Sequence, residues 1–232
     1  MSATLHGKAG DTGINVILTG VTGMVGEGVL LECLRNGQVE SVLAVCRKPL
    51  DLAHPKLEVL VAPDFLAIYA PATRLEKYDA CFYCAGVSSN GVTPEDYTRI
   101  TYETTLHFAS VAFAANPRLV FSFVSGHLTD SSERGRVMWA RVKGRTENAL
   151  MRMFPGQEYN FRPALMRPMP GQKHFYAYNR LTHKVLHPVL SLFFPACTIQ
   201  EIAQAMINVT RMGYEKPILE VSDIKKLAAR RG

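Results

Sequence analysis

The sequence predicts an α/β protein built as a doubly wound parallel sheet with helices on both faces. Three observations carry that prediction. Short apolar, β-rich runs alternate with longer stretches of helical period. Several of these runs are apolar along most of their length, as strands covered on both faces are. Glycines cluster where the first such run ends and the first helical stretch begins. At 232 residues the chain can bury a full core, and it reads as one domain over residues 1–232 with residues 1–12 a flexible polar lead.

The elements follow in order. Ile14 to Gly20 is the first strand, and Gly23 to Asn36 carries Met24, Val25, Val29, Leu30, Cys33 and Leu34 at helical spacing. Ser41 to Arg47, Leu57 to Ala62, Asp79 to Gly86 and Arg118 to Gly126 are the next four strands. Thr93 and Pro94 suit the cap and first position of a helix, with Glu95 and Asp96 at its positive end. A helix over Arg134 to Met153 and a sixth strand over Tyr159 to Leu165 follow. Thr198 and Glu201 have capping-box spacing and start a helix through Met212; a strand at Ile218 to Val221 and a short basic helix end the chain.

Composition narrows the function classes. A net charge of +6 is mildly basic, but the cations are scattered, so no nucleic-acid partner is expected. The five cysteines mostly lie in apolar runs, as buried free thiols do, and point to a reducing compartment. Cys81 and Cys84 form a C-x-x-C, but within a strand they face opposite sides of the sheet. His183 and His187 have metal-ligand spacing without an acid or cysteine to complete a site, so no metal is expected. No run suits a signal peptide or a bilayer span, which gives a cytoplasmic, membrane-free expectation.

Ligands of parallel sheets bind at the carboxyl ends of the strands. The first strand ends in Thr19, Gly20, Thr22, Gly23 and Gly26, a turn that lets backbone approach a pyrophosphate at a helix N-terminus through Met24 and Val25. The second ends in Arg47 and Lys48, with Asp51 the next acid. Two cations there favour a 2′-phosphate, and so NADP over NAD. After the third, Asp64 is placed to accept from an adenine amino group with Phe65 beside the ring. Cys84, Ala85 and Gly86 after the fourth are small enough to let a cofactor pass.

Together these residues resemble the short-chain dehydrogenase/reductase superfamily. The resemblance rests on T-G-x-x-G-x-x-G at Thr19 to Gly26, Asp64-Phe65, Cys84-Ala85-Gly86, Ser125 after the fifth strand, a lysine in the next helix, and "FRPALM" with Pro163 and Ala164. Through "VKGRTENAL" and "CRK" it is most similar to the atypical branch of Tat-interacting oxidoreductase-like and NAD(P)H-binding epimerase-like proteins. It implies a Rossmann-like domain with a substrate-side insertion at residues 166–197 and an NADP(H)-dependent oxidoreductase acting on a small carbonyl or hydroxyl compound. A homodimer fits the same expectation.

The family motif Tyr-x-x-x-Lys reads Trp139-Ala-Arg-Val-Lys143 in this chain. The resemblance implies that Lys143 holds the nicotinamide ribose and Ser125 orients the substrate oxygen. It also implies that Trp139 stands where a tyrosine would exchange the proton. An indole N–H donates a hydrogen bond but does not release its proton at working pH. Three accounts stay open. His127, His174, Tyr176 or Tyr178 supplies the proton; the protein binds NADP(H) without turnover as a regulatory or scaffold protein; or Trp139 is ordinary core. A nucleotide-sugar epimerase is a weaker alternative that also needs the tyrosine. Arg136, Arg141, Arg145 and Arg152 read as a solvated face, and Lys225, Lys226, Arg230 and Arg231 as a helix C-terminal charge set.

Overall fold

The computed structural model describes residues 13–68, 75–173 and 195–230. Its centre is a seven-stranded, all-parallel sheet. The strands are β1 (Ile14–Thr19), β2 (Val39–Cys46), β3 (Leu57–Val61), β4 (Ala80–Tyr83), β5 (Val120–Val124), β6 (Glu158–Arg162) and, later in the chain, β9 (Ile218–Glu220). Their order across the sheet is β3-β2-β1-β4-β5-β6-β9, so the winding reverses between β1 and β4. That reversal opens a crevice at the strand ends, the usual place for a ligand in such sheets.

Strand alternation builds two cores from one sheet. Val16, Leu18, Val42, Ala44, Ala80, Phe82, Tyr159 and Phe161 face one side. There they meet α1 (Met24–Arg35), α5 (Ile199–Met212) and α6 (Val221–Ala228). Ile17, Leu43, Val45, Cys81, Tyr83, Phe121 and Phe123 face the other. That side is covered by α3 (Thr104–Ala115) and α4 (Met138–Met153). Cys81 lies in the second cluster while Cys84 packs against the first, and all five cysteines are free thiols. Helix α1 lies so close to α5 that a Cβ on Gly28 would sit 2.4 Å from the Ile199 side chain.

Local chemistry sets the helix starts. Thr93 accepts from Asp96 N at 3.1 Å, with Pro94 opening α2 (Pro94–Thr98), which runs through a π-helical turn at Arg99–Glu103 into α3. Thr198 and Glu201 form the expected capping box at the head of α5.

Two boundaries differ from the sequence expectation. Helix α4 begins at Met138 instead of Arg134 because Asp130 organises a turn first. Its carboxylate accepts from Ser132 N, Ser132 Oγ and Gly135 N at 2.6–3.0 Å, and Glu133 adopts φ +61°. The sixth strand stops at Arg162 instead of Leu165 because Pro163 has no N–H to continue the ladder. The chain then makes β7 (Leu165–Arg167), which pairs with β8 (Ala196–Thr198) in a separate two-stranded sheet.

Under α4 the sheet presents a polar stripe, Glu158, Asn160 and Arg162. Arg162 donates through Nε to Glu147 Oε1 at 3.0 Å and through Nη2 to Glu147 Oε2. Nη2 also donates to Ser131 Oγ at 2.6 Å, and Nη1 reaches Glu220 Oε1 at 3.4 Å. One guanidinium therefore ties α4, β6, β9 and the loop after β5. Glu147 is fully buried, so its removal leaves a nearly buried cation with only the longer 3.4 Å contact to the carboxylate of Glu220. Glu147→Ala should cost about 3–5 kcal/mol of stability, as breaking such a pair does. Urea unfolding of the intact protein and the variant reads that difference.

Candidate functional site

The turn after β1 is fixed by backbone contacts that leave no room for side chains. Gly20 has φ +72°, and a Cβ there would lie 2.5 Å from the Cys84 carbonyl group. A Cβ on Gly26 would lie 2.1 Å from Gly20 O, so the head of α1 folds directly over the turn. Thr19 Oγ1 accepts from Ala85 N at 3.1 Å, joining the ends of β1 and β4. Gly23 caps α1 without any side-chain hydrogen bond, and Thr22 and Gly23 are exposed. Early helix N–H groups have no partner within the helix, so this end suits an anion. The cradle fits a pyrophosphate by both its glycine contacts and its uncapped helix end.

Arg47 and Lys48 project from the end of β2, exposed and without an acidic partner among the described residues. Asp64 is also exposed, but one carboxylate oxygen accepts from Leu66 N at 2.9 Å. Phe65, expected beside an adenine ring, turns its own side chain inward. It is 7% exposed and packs on Phe108 with ring centroids 5.5 Å apart, because the turn at Phe65–Ala67 points it into the core. Cys84 and Ala85 are half-buried, and Gly86 is exposed with open space where a Cβ would stand.

The second half of the site lies beyond β5 and β6. Ser125 N donates to Phe161 O and His127 N to Pro163 O, at 2.8 and 2.9 Å, so one-way hydrogen bonds still tie the two segments where the regular ladder has ended. Pro163 is buried and Ala164 half-buried beside this extension. Lys143 Nζ donates to Ser125 O at 2.7 Å. A Cβ on Gly126 would stand 3.7 Å from Lys143 Nζ and 4.0 Å from Trp139 Cζ3. The indole and the amine thus flank the same glycine. Trp139 is half-exposed and belongs to neither core cluster, which sets aside the core-filler account.

Burial lowers the Lys143 pKa to about 8, while Glu147, one turn along α4, acts in the opposite direction. Gly144 lets the loop lie against this helix: a Cβ there would stand 1.9 Å from Asp130 O. Ser125 is buried, and its hydroxyl lies 3.0 Å from that of Thr129, which donates to Gly126 O at 2.7 Å. His127 Nδ1 lies 3.5 Å from Glu220 Oε2.

Sequence reasoning missed Glu147, Thr129, Glu220 and Gln172. Gln172 donates to Met24 O and accepts from Met169 N, both at 2.6 Å, while Lys173 N donates to Glu27 at 2.8 Å. The chain after β7 is thereby fastened to the head of α1. Glu147 alone carried a signal, its spacing of four from Lys143 on a helix. His174, Tyr176, Tyr178, His183 and His187 lie outside the described residues. Two arginines of the expected solvated face have local surface partners. Arg141 donates to Gly135 O at 2.7 Å, and the Arg145 guanidinium lies 4.2 Å from the Tyr102 ring centroid. Among the described residues, no His/Cys/Asp/Glu group of three or more is arranged for a metal, and no helix is long and apolar enough to cross a membrane.

Lys143 makes a pH test available. Folded Lys143 titrates near 8 against an ordinary value of 10.5, so the unfolded chain holds more protons between those values. Stability of the intact protein should therefore rise with pH across that window. Lys143→Met should lack that rise, so any advantage it has near neutrality shrinks toward pH 10.5. Denaturant midpoints at several pH values measure the slope.

The fold has relatives of known structure. An ADP-L-glycero-D-manno-heptose-6-epimerase from Helicobacter pylori matches with TM-score 0.65 and 15% identity, over 93% of this chain and 81% of the epimerase. A UDP-N-acetylglucosamine 4-epimerase from Methanobrevibacter ruminantium matches with TM-score 0.66 and 17% identity, over 90% and 76%. A short chain dehydrogenase from Burkholderia cenocepacia, solved with NADP, matches with TM-score 0.62 and 15% identity, over 94% of both chains. In sequence, the chain is 28% identical over 145 residues to leucinostatins biosynthesis cluster protein T of Purpureocillium lilacinum, covering 60% of this chain and 52% of that protein. This chain thus matches about half the length of that relative. Residues 16–136, a little over half of the chain, match the model of the NAD dependent epimerase/dehydratase family, and the chain belongs to that family.

Proposed function

We propose that this protein binds NADP(H) in the crevice between β1 and β4 and acts as an oxidoreductase on a small carbonyl or hydroxyl compound. The observation that carries the reading is the shared placement of Lys143, Trp139 and Ser125–Gly126 at the same strand-end edge as the glycine cradle. Gly20, Thr22, Gly23, Met24, Val25 and Gly26 would hold the pyrophosphate, and Arg47 and Lys48 the 2′-phosphate. Asp64 would meet the adenine edge. Cys84, Ala85 and Gly86 would line the path to the nicotinamide, with Pro163 and Ala164 beside it. A bound nicotinamide supplies or accepts a hydride. Lys143 has two N–H donors beyond its bond to Ser125 O, enough to engage ribose hydroxyls.

A second reading, binding without turnover in a regulatory or scaffold role, is favoured by one observation. Trp139 flanks the site where the family tyrosine would act, and its N–H cannot be transferred. An epimerase reading draws on the relatives' names but asks for the same missing proton carrier.

Calorimetric titration tests the cofactor assignment. NADPH should bind well and NADH much more weakly. Replacing Arg47 and Lys48 together by alanine removes charge-assisted bonds worth about 1.5–3 kcal/mol, so NADPH affinity should fall about 10- to 100-fold. NADH affinity should barely move. Equal binding of both cofactors by the intact protein would refute the NADP preference.

A further inference from the structure

Hydrogen counting at the strand ends leaves a gap and also fills it. Thr129 has one hydroxyl hydrogen and gives it to Gly126 O. The two hydroxyls lie 3.0 Å apart and either can donate; with the Thr129 hydrogen on Gly126 O, Ser125 is the donor and its oxygen is left only as an acceptor. In this arrangement Ser125 offers no hydrogen to a carbonyl, and Trp139 offers one it cannot release. We propose that His127, oriented by Glu220, exchanges the proton with the substrate oxygen; this rests on the oxidoreductase reading above.

Four observations place His127 for that task. Its N–H bond to Pro163 O lies one step beyond that of Ser125 to Phe161 O, at the start of a turn through Leu128, and the ring stands next to Glu220. Arg162 and Glu220 share the α4 face of the sheet, because Phe161 and Leu219 between them point into the opposite core. His127 Nδ1 is shielded from solvent and has no hydrogen bond, yet it faces Glu220 Oε2 at 3.5 Å. The side chain as a whole is 32% exposed while Nδ1 is buried, so the ring is reached from solvent by atoms other than Nδ1.

Glu220 is a positioning residue in this scheme. It is held by Arg162 Nη1 at 3.4 Å, and Arg162 is anchored in turn by Glu147. The charged groups around the ring are therefore Glu220 from β9 and Arg162 from β6, with Lys143 and Glu147 behind them on α4. Closing the 3.5 Å separation between Nδ1 and Glu220 Oε2 to a hydrogen bond would hold the neutral ring as the Nδ1–H tautomer and leave the Nε2 lone pair free. In the reducing direction a bound reduced nicotinamide would supply the hydride to the carbonyl carbon, whose π pair would move to oxygen. That oxygen takes the proton from Nε2 of the imidazolium. The products are the alcohol, the oxidised nicotinamide and a neutral imidazole, which solvent reprotonates. Alcohol oxidation runs the same steps backward, with Nε2 as the base.

Two readouts test the assignment. Long-range 1H–15N spectra of the neutral ring should show His127 as the Nδ1–H tautomer in the intact protein, with that preference lost in Glu220→Ala. With NADPH and phenanthrenequinone as the carbonyl probe, His127→Gln should lower kcat about 10²–10⁴-fold, the usual loss on removing a positioned acid. NADPH affinity by calorimetry should stay unchanged in both variants, which also shows that they fold. Failure of NADPH to bind the intact protein overturns the oxidoreductase reading instead, and the tautomer then decides the orienting pair. Bound NADPH together with an Nε2–H tautomer, or with an unaltered kcat in His127→Gln, overturns the role of His127.

Discussion

The buried Arg162 guanidinium is the interaction on which the second half of the site depends. It meets Glu147 on α4, Glu220 at the end of β9 and Ser131 in the loop after β5. Without it, α4, which carries Trp139 and Lys143, has no hydrogen bond to β6 among the described residues. The pair is costly to bury, and its worth lies in geometry more than in net stability. The same polar stripe explains Glu158, whose pKa is pushed well up by burial and by the neighbouring Glu147 charge.

The first half of the site depends on a different constraint, the exclusion of side chains. Gly20 against Cys84 and Gly26 against Gly20 bring three backbone segments closer than any Cβ permits. The resulting turn exposes helix N–H groups where β1 and β4 diverge. The two halves are linked through the ends of β4, β5 and β6, which are adjacent in the sheet. A dinucleotide lying across those ends would touch the glycine cradle with one part and Lys143 with another.

Much of this was legible in the sequence. The strand runs, the glycine turn and the Trp139–Lys143 spacing are local patterns, and local patterns survive without an alignment. Element ends were less legible where side chains outside the pattern decide them. Asp130 replaces the expected first turn of α4 with a hydrogen-bonded loop, and Pro163 ends β6 early. The Asp64-Phe65 pair gives no sign in sequence of where its ring points, and the turn geometry sends the Phe65 ring to Phe108. Glu220 was out of reach for another reason. It lies 93 positions after His127 in the chain, and only the β6–β9 pairing brings the two together.

We propose that a dinucleotide bound in the glycine cradle extends its nicotinamide to Trp139. Tryptophan emission reads this directly, because Trp139 is the only indole in the chain. Excitation of Trp139 during addition of NADPH should give quenched indole emission with matching sensitised emission from the reduced nicotinamide. Saturable NADPH binding seen by calorimetry with Trp139 emission unchanged would place the nicotinamide elsewhere and contradict the claim.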